Sequence, residues 1–105
     1  MEPHYYELLD LLTPIKILKQ NFKIIDHQYK CGYISIPHKY IVLNKKNSFK
    51  GNIETISHEL MHLYYHNQNI DLSENQIEQL GMNYLKRFPE YYEGLENKLG
   101  ELKLQ

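Results

Sequence analysis

The sequence predicts an α+β fold, in which a small β-sheet packs on two amphipathic helices and a further helix lies near each end of the chain. Residues 32–43 are rich in β-branched and aromatic side chains, which favour strands. Residues 53–66 and 73–88 instead repeat apolar side chains at helical spacing. A sheet-forming run followed by two helical runs is typical of an α+β protein.

Length bounds the number of domains. A chain of 105 residues can bury one modest core but not two. We therefore expect a single domain over residues 1–105, with its core at about 15–88 and a helical tail over 89–105. Gly94 and Gly100 disfavour the helix of the tail, which is expected to be loosely held. Its apolar positions are Tyr91, Leu95, Leu99 and Leu102.

The first half of the chain predicts a short helix followed by strands. The helix is indicated by clustered tyrosines and leucines before a proline, and the strands by apolar runs separated by polar or proline-containing breaks. In order, the segments are a helix over 2–12 that ends at Thr13-Pro14, a strand or continued helix over 15–18, a strand over 22–25, two adjacent strands over 32–36 and 39–43 around Pro37-His38, and a polar loop over 44–52.

The predicted helix over 53–66 carries an H-E-x-x-H motif at His58, Glu59 and His62. Residues four apart lie on the same face of a helix, so both imidazoles can reach one ion. Glu59 lies beside that ion, where it can take a proton from a metal-held water molecule. The histidines are opposite the apolar stripe, which consists of Ile53, Ile56, Leu60, Leu63 and Tyr64.

The segment after the motif predicts a second helix. Ser73 is a good N-cap and Gln76 completes a capping box, while Leu72 and Ile77 are placed to form a hydrophobic staple. Pro89 ends the segment. Its apolar stripe consists of Ile77, Leu80, Tyr84 and Phe88.

This second helix offers the third metal ligand that a zinc site requires. Glu78 is the preferred candidate, because it borders the apolar stripe and Gly81 would let the helix approach its neighbour closely. Glu74 is the alternative, although the helix dipole alone explains a carboxylate in the first turn. His66 extends the histidine series but is expected to interact with the end of its own helix. The remaining histidines do not have the spacing of metal ligands and are expected at the surface. They are His4, His27 and His38.

Charge and cysteine content exclude several classes of protein. The formal net charge of −1 makes nucleic acid an improbable partner, although Lys45, Lys46 and Lys50 share one loop. The lone Cys31 permits no internal disulfide bond. No segment has the pattern of a signal peptide or a membrane span, so we expect a cytoplasmic protein without a membrane partner.

With the motif and the downstream glutamates in place, the sequence resembles the small zincin-like metallopeptidases of the ImmA/IrrE type, especially their short phage and prophage members. The resemblance runs from about Gly32 to Phe88. It rests on three stretches, which are the strand residues 32–34 and 40–43, the motif region 55–62, and the start of the second helix at 72–81. It implies a minimal zincin-like fold with a twisted sheet on the two ligand-bearing helices. It also implies that Glu78, three residues before a small residue, completes the zinc site. The strand over 40–44 would be the edge strand that holds an extended peptide beside the metal.

Two functions follow from these observations. The first is a zinc-dependent metallopeptidase that cleaves a specific cytoplasmic protein, which by the resemblance is a repressor-type regulator. His58, His62 and Glu78 would hold Zn²⁺, with manganese, iron or cobalt as other ions that such ligands accept, and Glu59 would be the general base. The alternative is a non-catalytic, zinc-containing interaction module of phage or mobile-element origin. A transition-state donor is also expected, but neither Tyr64 nor Tyr65 is singled out by its position.

Overall fold

The computed structural model describes residues 2–20, 31–35 and 39–100. Within these ranges the chain forms four helices and a three-stranded mixed sheet, which confirms the α+β class. The predicted strand at 22–25, the Pro37-His38 turn and Leu102 lie outside the described residues. In chain order the elements are α1 (Tyr5–Leu12), β1 (Lys16–Gln20), β2 (Gly32–Ser35), β3 (Tyr40–Asn44), α2 (Phe49–Asn67), α3 (Glu74–Arg87) and α4 (Pro89–Gly100).

The three strands are ordered β1-β3-β2. The β1 strand pairs parallel to β3, and β2 pairs antiparallel to β3, so the predicted adjacency of β2 and β3 is confirmed. The prediction that residues 40–44 form the edge strand is wrong, because β3 has a partner on each side. Its uninterrupted apolar run, Ile41, Val42 and Leu43, is fully buried, as is typical of a central strand covered on both faces.

Helix α2 is longer than predicted and begins at Phe49. Ser48 is its N-cap, and the Ser48 hydroxyl accepts a hydrogen bond from the backbone N–H of Gly51. The predicted loop over 44–52 is therefore shorter than expected. At the other end Asn69 adopts a left-handed conformation with φ 57°, and the Ile70 N–H donates to the Tyr65 carbonyl. This Schellman-type ending turns the chain towards α3.

Local capping explains where α1 and α3 begin. Ser73 and Gln76 form the predicted capping box at the start of α3, with reciprocal backbone-to-side-chain hydrogen bonds of 2.9 and 3.2 Å. His4 has the corresponding role in α1, where its Nδ1 accepts from the Tyr6 N–H and its own N–H donates to Glu7. This contact gives His4 a structural role.

Helix α4 is part of the hydrophobic core, which differs from the expectation of a loosely held tail. Gly94 lies against α1, where an added Cβ would be 2.6 Å from a methyl carbon of Leu9. The glycine thus permits a close approach of two helices, and its low helix propensity is offset by packing. The apolar face of α4 belongs to the same hydrophobic cluster as side chains of α1, α2 and α3. It consists of Tyr91, Leu95 and Leu99.

Candidate metal centre

Helices α2 and α3 pack closely at Gly81, as predicted. A Cβ at this position would lie 3.2 Å from Ser57 Oγ and 3.4 Å from the backbone nitrogen of His58. The Ser57 hydroxyl donates a 2.9 Å hydrogen bond to the Gly81 carbonyl, which joins the two helices at a buried point. Helices α2 and α3 run in opposite directions from this contact. His58 therefore faces Glu78, and one turn further along α2 His62 faces Glu74.

Three of these side chains converge on one point. The Nε2 atoms of His58 and His62 are 3.1 Å apart. The Glu74 carboxylate contacts both, with Oε2 at 3.1 Å from His58 Nε2 and Oε1 at 3.0 Å from His62 Nε2. Among the described residues, His58, His62 and Glu74 form a group whose ligand atoms all lie within 4.8 Å of one another. These residues could hold a metal ion.

The separations fit the ion that the donor types favour. Zn²⁺ binds imidazole nitrogen and carboxylate oxygen at about 2.0–2.2 Å, which in a tetrahedral site separates two ligand atoms by about 3.3 Å. The two histidine nitrogens, 3.1 Å apart, lie within a few tenths of an ångström of that value. Each nitrogen also has a Glu74 oxygen at a similar distance, Oε2 at 3.1 Å for His58 and Oε1 at 3.0 Å for His62. The donor set and its spacing therefore suit a divalent metal.

Glu78, the ligand predicted from the sequence, meets the other side of the same imidazole. Its Oε2 lies 2.7 Å from His58 Nδ1, whereas Glu74 lies against Nε2. Both candidate carboxylates thus contact His58, but they contact different ring nitrogens. A signal for this arrangement was present in the sequence: Glu74 and Glu78 repeat the four-residue spacing of the two histidines, as two antiparallel helices require to form two facing pairs.

Solvent exposure differs between the two helices. The histidine side chains are partly covered, with 19% and 30% of their area exposed, whereas the carboxylates of Glu74 and Glu78 reach in from the solvent side. Desolvation at the contact raises the pKa of Glu74, but the neighbouring His62 and His58 imidazoles lower it more, so the pKa of Glu74 lies below its ordinary value. Glu74 is therefore ionised at neutral pH, as a carboxylate must be to bind a metal ion.

Glu59 is buried and lies at a cleft beside His58. This cleft, of about 270 Å³, lies between the start of β2 and one side of α2, and Glu78 of α3 also lines it. Burial of an acidic side chain is unusual, since Glu is mostly found at the surface. The predicted general base and one of the two histidines therefore line the same cleft.

A second cleft, of about 410 Å³, lies beside His62. His66 lines it together with His62 and Glu74, but His66 is outside the group that could hold a metal. Tyr65 forms part of the wall and is mostly buried, as Tyr64 is. His27 and His38 lie outside the described residues.

The comparison with protein families agrees with this arrangement. The family model of the IrrE N-terminal-like domain, Peptidase_M78, matches residues 13–89, which include β1 to α3 and hence every residue of the candidate centre. The chain is a member of this ImmA/IrrE-type family. The family is one of metal-dependent peptidases, so a metallopeptidase-like function is supported.

Comparison with the curated proteins and with the solved structures gave no match. Helices α1 and α4 lie almost wholly outside the residues that the family model matches. No helix in the described ranges is long and apolar enough to cross a membrane.

Proposed function

We propose that the protein is a zinc-dependent peptidase of zincin-like fold, in which His58, His62 and Glu74 hold the ion and Glu59 is the general base. The observation that carries the proposal is the pair of histidine Nε2 atoms, 3.1 Å apart and both in contact with the Glu74 carboxylate. Membership of a family of metal-dependent peptidases supports the proposed peptidase activity.

The choice of Glu74 over Glu78 follows from the two nitrogens of the His58 ring. If both histidines bind through Nε2, the third ligand must lie on that side of the ring, where Glu74 lies. Glu78 is on the Nδ1 side, where a carboxylate accepts the remaining N–H, orients the ring and makes it a stronger ligand. We therefore assign Glu78 the orienting role. Its assignment as the third ligand, made from the sequence, is the competing hypothesis.

The proposed reaction is hydrolysis of a peptide bond. Zn²⁺ would act as a Lewis acid on the scissile carbonyl. Glu59 would accept a proton from the attacking water molecule while the water oxygen bonds to the carbonyl carbon. It would then deliver a proton to the leaving amine as the C–N bond breaks. The buried position of Glu59 at the cleft beside His58 supports this role.

The proposed substrate is a segment of another protein, and a repressor-type regulator remains our proposal for its identity. The two clefts support a polypeptide substrate, because one is lined by His58 and the other by His62, so that together they could accept residues on either side of a scissile bond. Residues 40–44 cannot hold that segment by strand addition, since β3 is the central strand.

Elemental analysis of the purified protein tests the metal site. We expect about one zinc ion per chain in the wild type and none in His62→Ala or Glu74→Ala. Glu78→Ala should keep its zinc but bind it about 10–100-fold more weakly. Glu93→Ala, an exposed carboxylate on α4, is the control and should behave as the wild type.

The same measurement separates the two ligand assignments. Loss of zinc in Glu78→Ala together with retention in Glu74→Ala would reverse them and restore the ligand set predicted from the sequence. Absence of zinc from the wild type, even after zinc is supplied, would refute the metal site itself.

Catalysis is tested with Glu59→Gln, which removes the base and keeps the size of the side chain. Incubated with a proteome-derived peptide mixture, the zinc-loaded wild type should generate new peptide termini detectable by mass spectrometry, and Glu59→Gln should not. The variant should still contain zinc, because Glu59 is not a proposed ligand. Equal cleavage by both proteins would exclude Glu59 as the base, and a zinc-loaded wild type that cleaves nothing would favour the non-catalytic interaction module.

A further inference from the structure

We propose that Tyr91 is a positioning residue for the metal centre and acts through Ser57. The Tyr91 hydroxyl donates a 2.9 Å hydrogen bond to Ser57 Oγ, and Ser57 Oγ donates a 2.9 Å hydrogen bond to the Gly81 carbonyl. This chain of two hydrogen bonds links α4 to α2 and α2 to α3. The inference rests on the proposed metal site and concerns what holds its two helices in register.

The link lies next to the candidate ligands in the sequence. Ser57 directly precedes His58, and Gly81 is one turn after Glu78. Because Gly81 has no side chain, the α3 backbone lies close enough for Ser57 Oγ to reach its carbonyl. A shift of α3 along α2 at this point would move Glu74 and Glu78 relative to the imidazoles by a similar distance. The Ser57–Gly81 contact therefore sets the geometry of the site.

Tyr91 determines the direction of the Ser57 hydroxyl hydrogen. A serine inside a helix can donate its single O–H to the carbonyl four residues earlier in its own helix. Donation by Tyr91 occupies a lone pair of Ser57 Oγ on the α4 side and leaves the hydrogen directed at Gly81. Without the phenol, the serine can turn back to its own helix, and the tie between α2 and α3 is lost.

The surroundings make this arrangement rigid. Tyr91 and Ser57 are both fully buried, so water cannot replace either hydrogen bond. Burial raises the pKa of Tyr91, which keeps the phenol protonated and able to donate at any physiological pH. Tyr91 lies beyond residues 13–89, so family membership does not imply its role.

Zinc affinity of the intact protein, measured by competition with a chromophoric chelator, tests the inference. Tyr91→Phe removes only the hydroxyl and should weaken zinc binding about tenfold, as loss of a group that orients ligands does. The matched control is Tyr84→Phe, which also removes a buried phenol hydroxyl, in this case one bonded to the Pro3 carbonyl. The control should lose similar thermal stability and keep the affinity of the wild type.

A double-mutant cycle tests whether Tyr91 acts through Ser57. Ser57→Ala should weaken zinc binding at least as much as Tyr91→Phe, and adding Tyr91→Phe to Ser57→Ala should cause no further loss. Equal zinc affinity of the wild type and Ser57→Ala would overturn the inference, whatever the behaviour of Tyr91→Phe. Equal weakening by Tyr91→Phe and Tyr84→Phe would also overturn it. A wild type that binds no zinc would refute the proposed function and the inference together, whereas the other two outcomes leave the proposed function intact.

Discussion

Replacement of Gly81 by alanine should destabilise the protein, although alanine favours a helix more than glycine does. The added Cβ would lie 3.2 Å from Ser57 Oγ and 3.4 Å from the backbone nitrogen of His58. The contact with the His58 nitrogen is ordinary, but the contact with Ser57 Oγ is too short, so these two atoms must move apart by a few tenths of an ångström. Ser57 Oγ cannot simply turn away, because hydrogen bonds to Tyr91 and to the Gly81 carbonyl hold it.

The expected loss is the difference between two effects. Overpacking a well-filled contact costs typically 1–3 kcal/mol, here about 2 kcal/mol. The higher helix propensity of alanine relative to glycine stabilises α3 by about 0.8–1.0 kcal/mol. The free energy of unfolding should therefore fall by about 1 kcal/mol, which lowers the melting temperature by about 4–8 °C in a domain of this size.

Urea unfolding followed by far-UV circular dichroism, in the presence of a chelator, measures this loss without a contribution from metal binding. The control is Gly100→Ala, at the end of α4, where the added Cβ would have no atom from another part of the described chain within 4 Å. That variant should be as stable as the wild type or more stable, by at most about 1 kcal/mol. A Gly81→Ala protein as stable as the wild type would refute the argument that the contact between α2 and α3 is filled.

Three further changes test other parts of the fold. Leu95→Ala, at a fully buried position of α4, should cost about 2–5 kcal/mol of unfolding free energy, and a loss below about 1 kcal/mol in urea unfolding would exclude α4 from the core. Ser73→Ala removes the N-cap of α3 and should cost about 1 kcal/mol by the same assay, whereas an unchanged midpoint would show that water replaces the cap. Burial, with Glu2 and Tyr65 nearby, raises the pKa of Tyr84 from 10.0 to about 12, so the protonated phenol is favoured in the folded state. Its contribution to stability is complete below pH 10 and is lost as the pH rises through about 12, and Tyr84→Phe should therefore show a smaller decline in urea midpoint above pH 10 than the wild type.

Much of the local structure follows from the sequence because its causes are local. The apolar spacing of α2 and the Ser73–Gln76 capping box predict their helices without knowledge of any partner. The four-residue spacing of His58 and His62 places both imidazoles on one face, and their Nε2 atoms are indeed 3.1 Å apart. Each of these features depends on residues within two turns of one another.

The order of the strands could not be predicted in the same way. Pairing between strands joins residues far apart in the sequence, and residues 40–44 were expected at the edge of the sheet although they lie at its centre. The unbroken apolar run of Ile41, Val42 and Leu43 contained the relevant signal, since a strand with one solvated face alternates apolar and polar residues. This apolar run indicates that both faces of β3 are covered, but it does not identify the elements that cover them.

The sequence by itself determined that His58 and His62 share one face of a helix with Glu59 beside them, because helical spacing alone sets this arrangement. It predicted Glu78 as the third ligand, with Glu74 as the alternative. Only the tertiary structure decided which carboxylate meets which nitrogen. Glu74 and Glu78 share one face of α3, and a displacement of α3 by one turn along α2 would bring Glu78 to the position that Glu74 occupies. The displacement is set by the contact of Ser57 with Gly81 and by Tyr91 of α4, whose hydroxyl reaches Ser57 from 34 residues away in the chain.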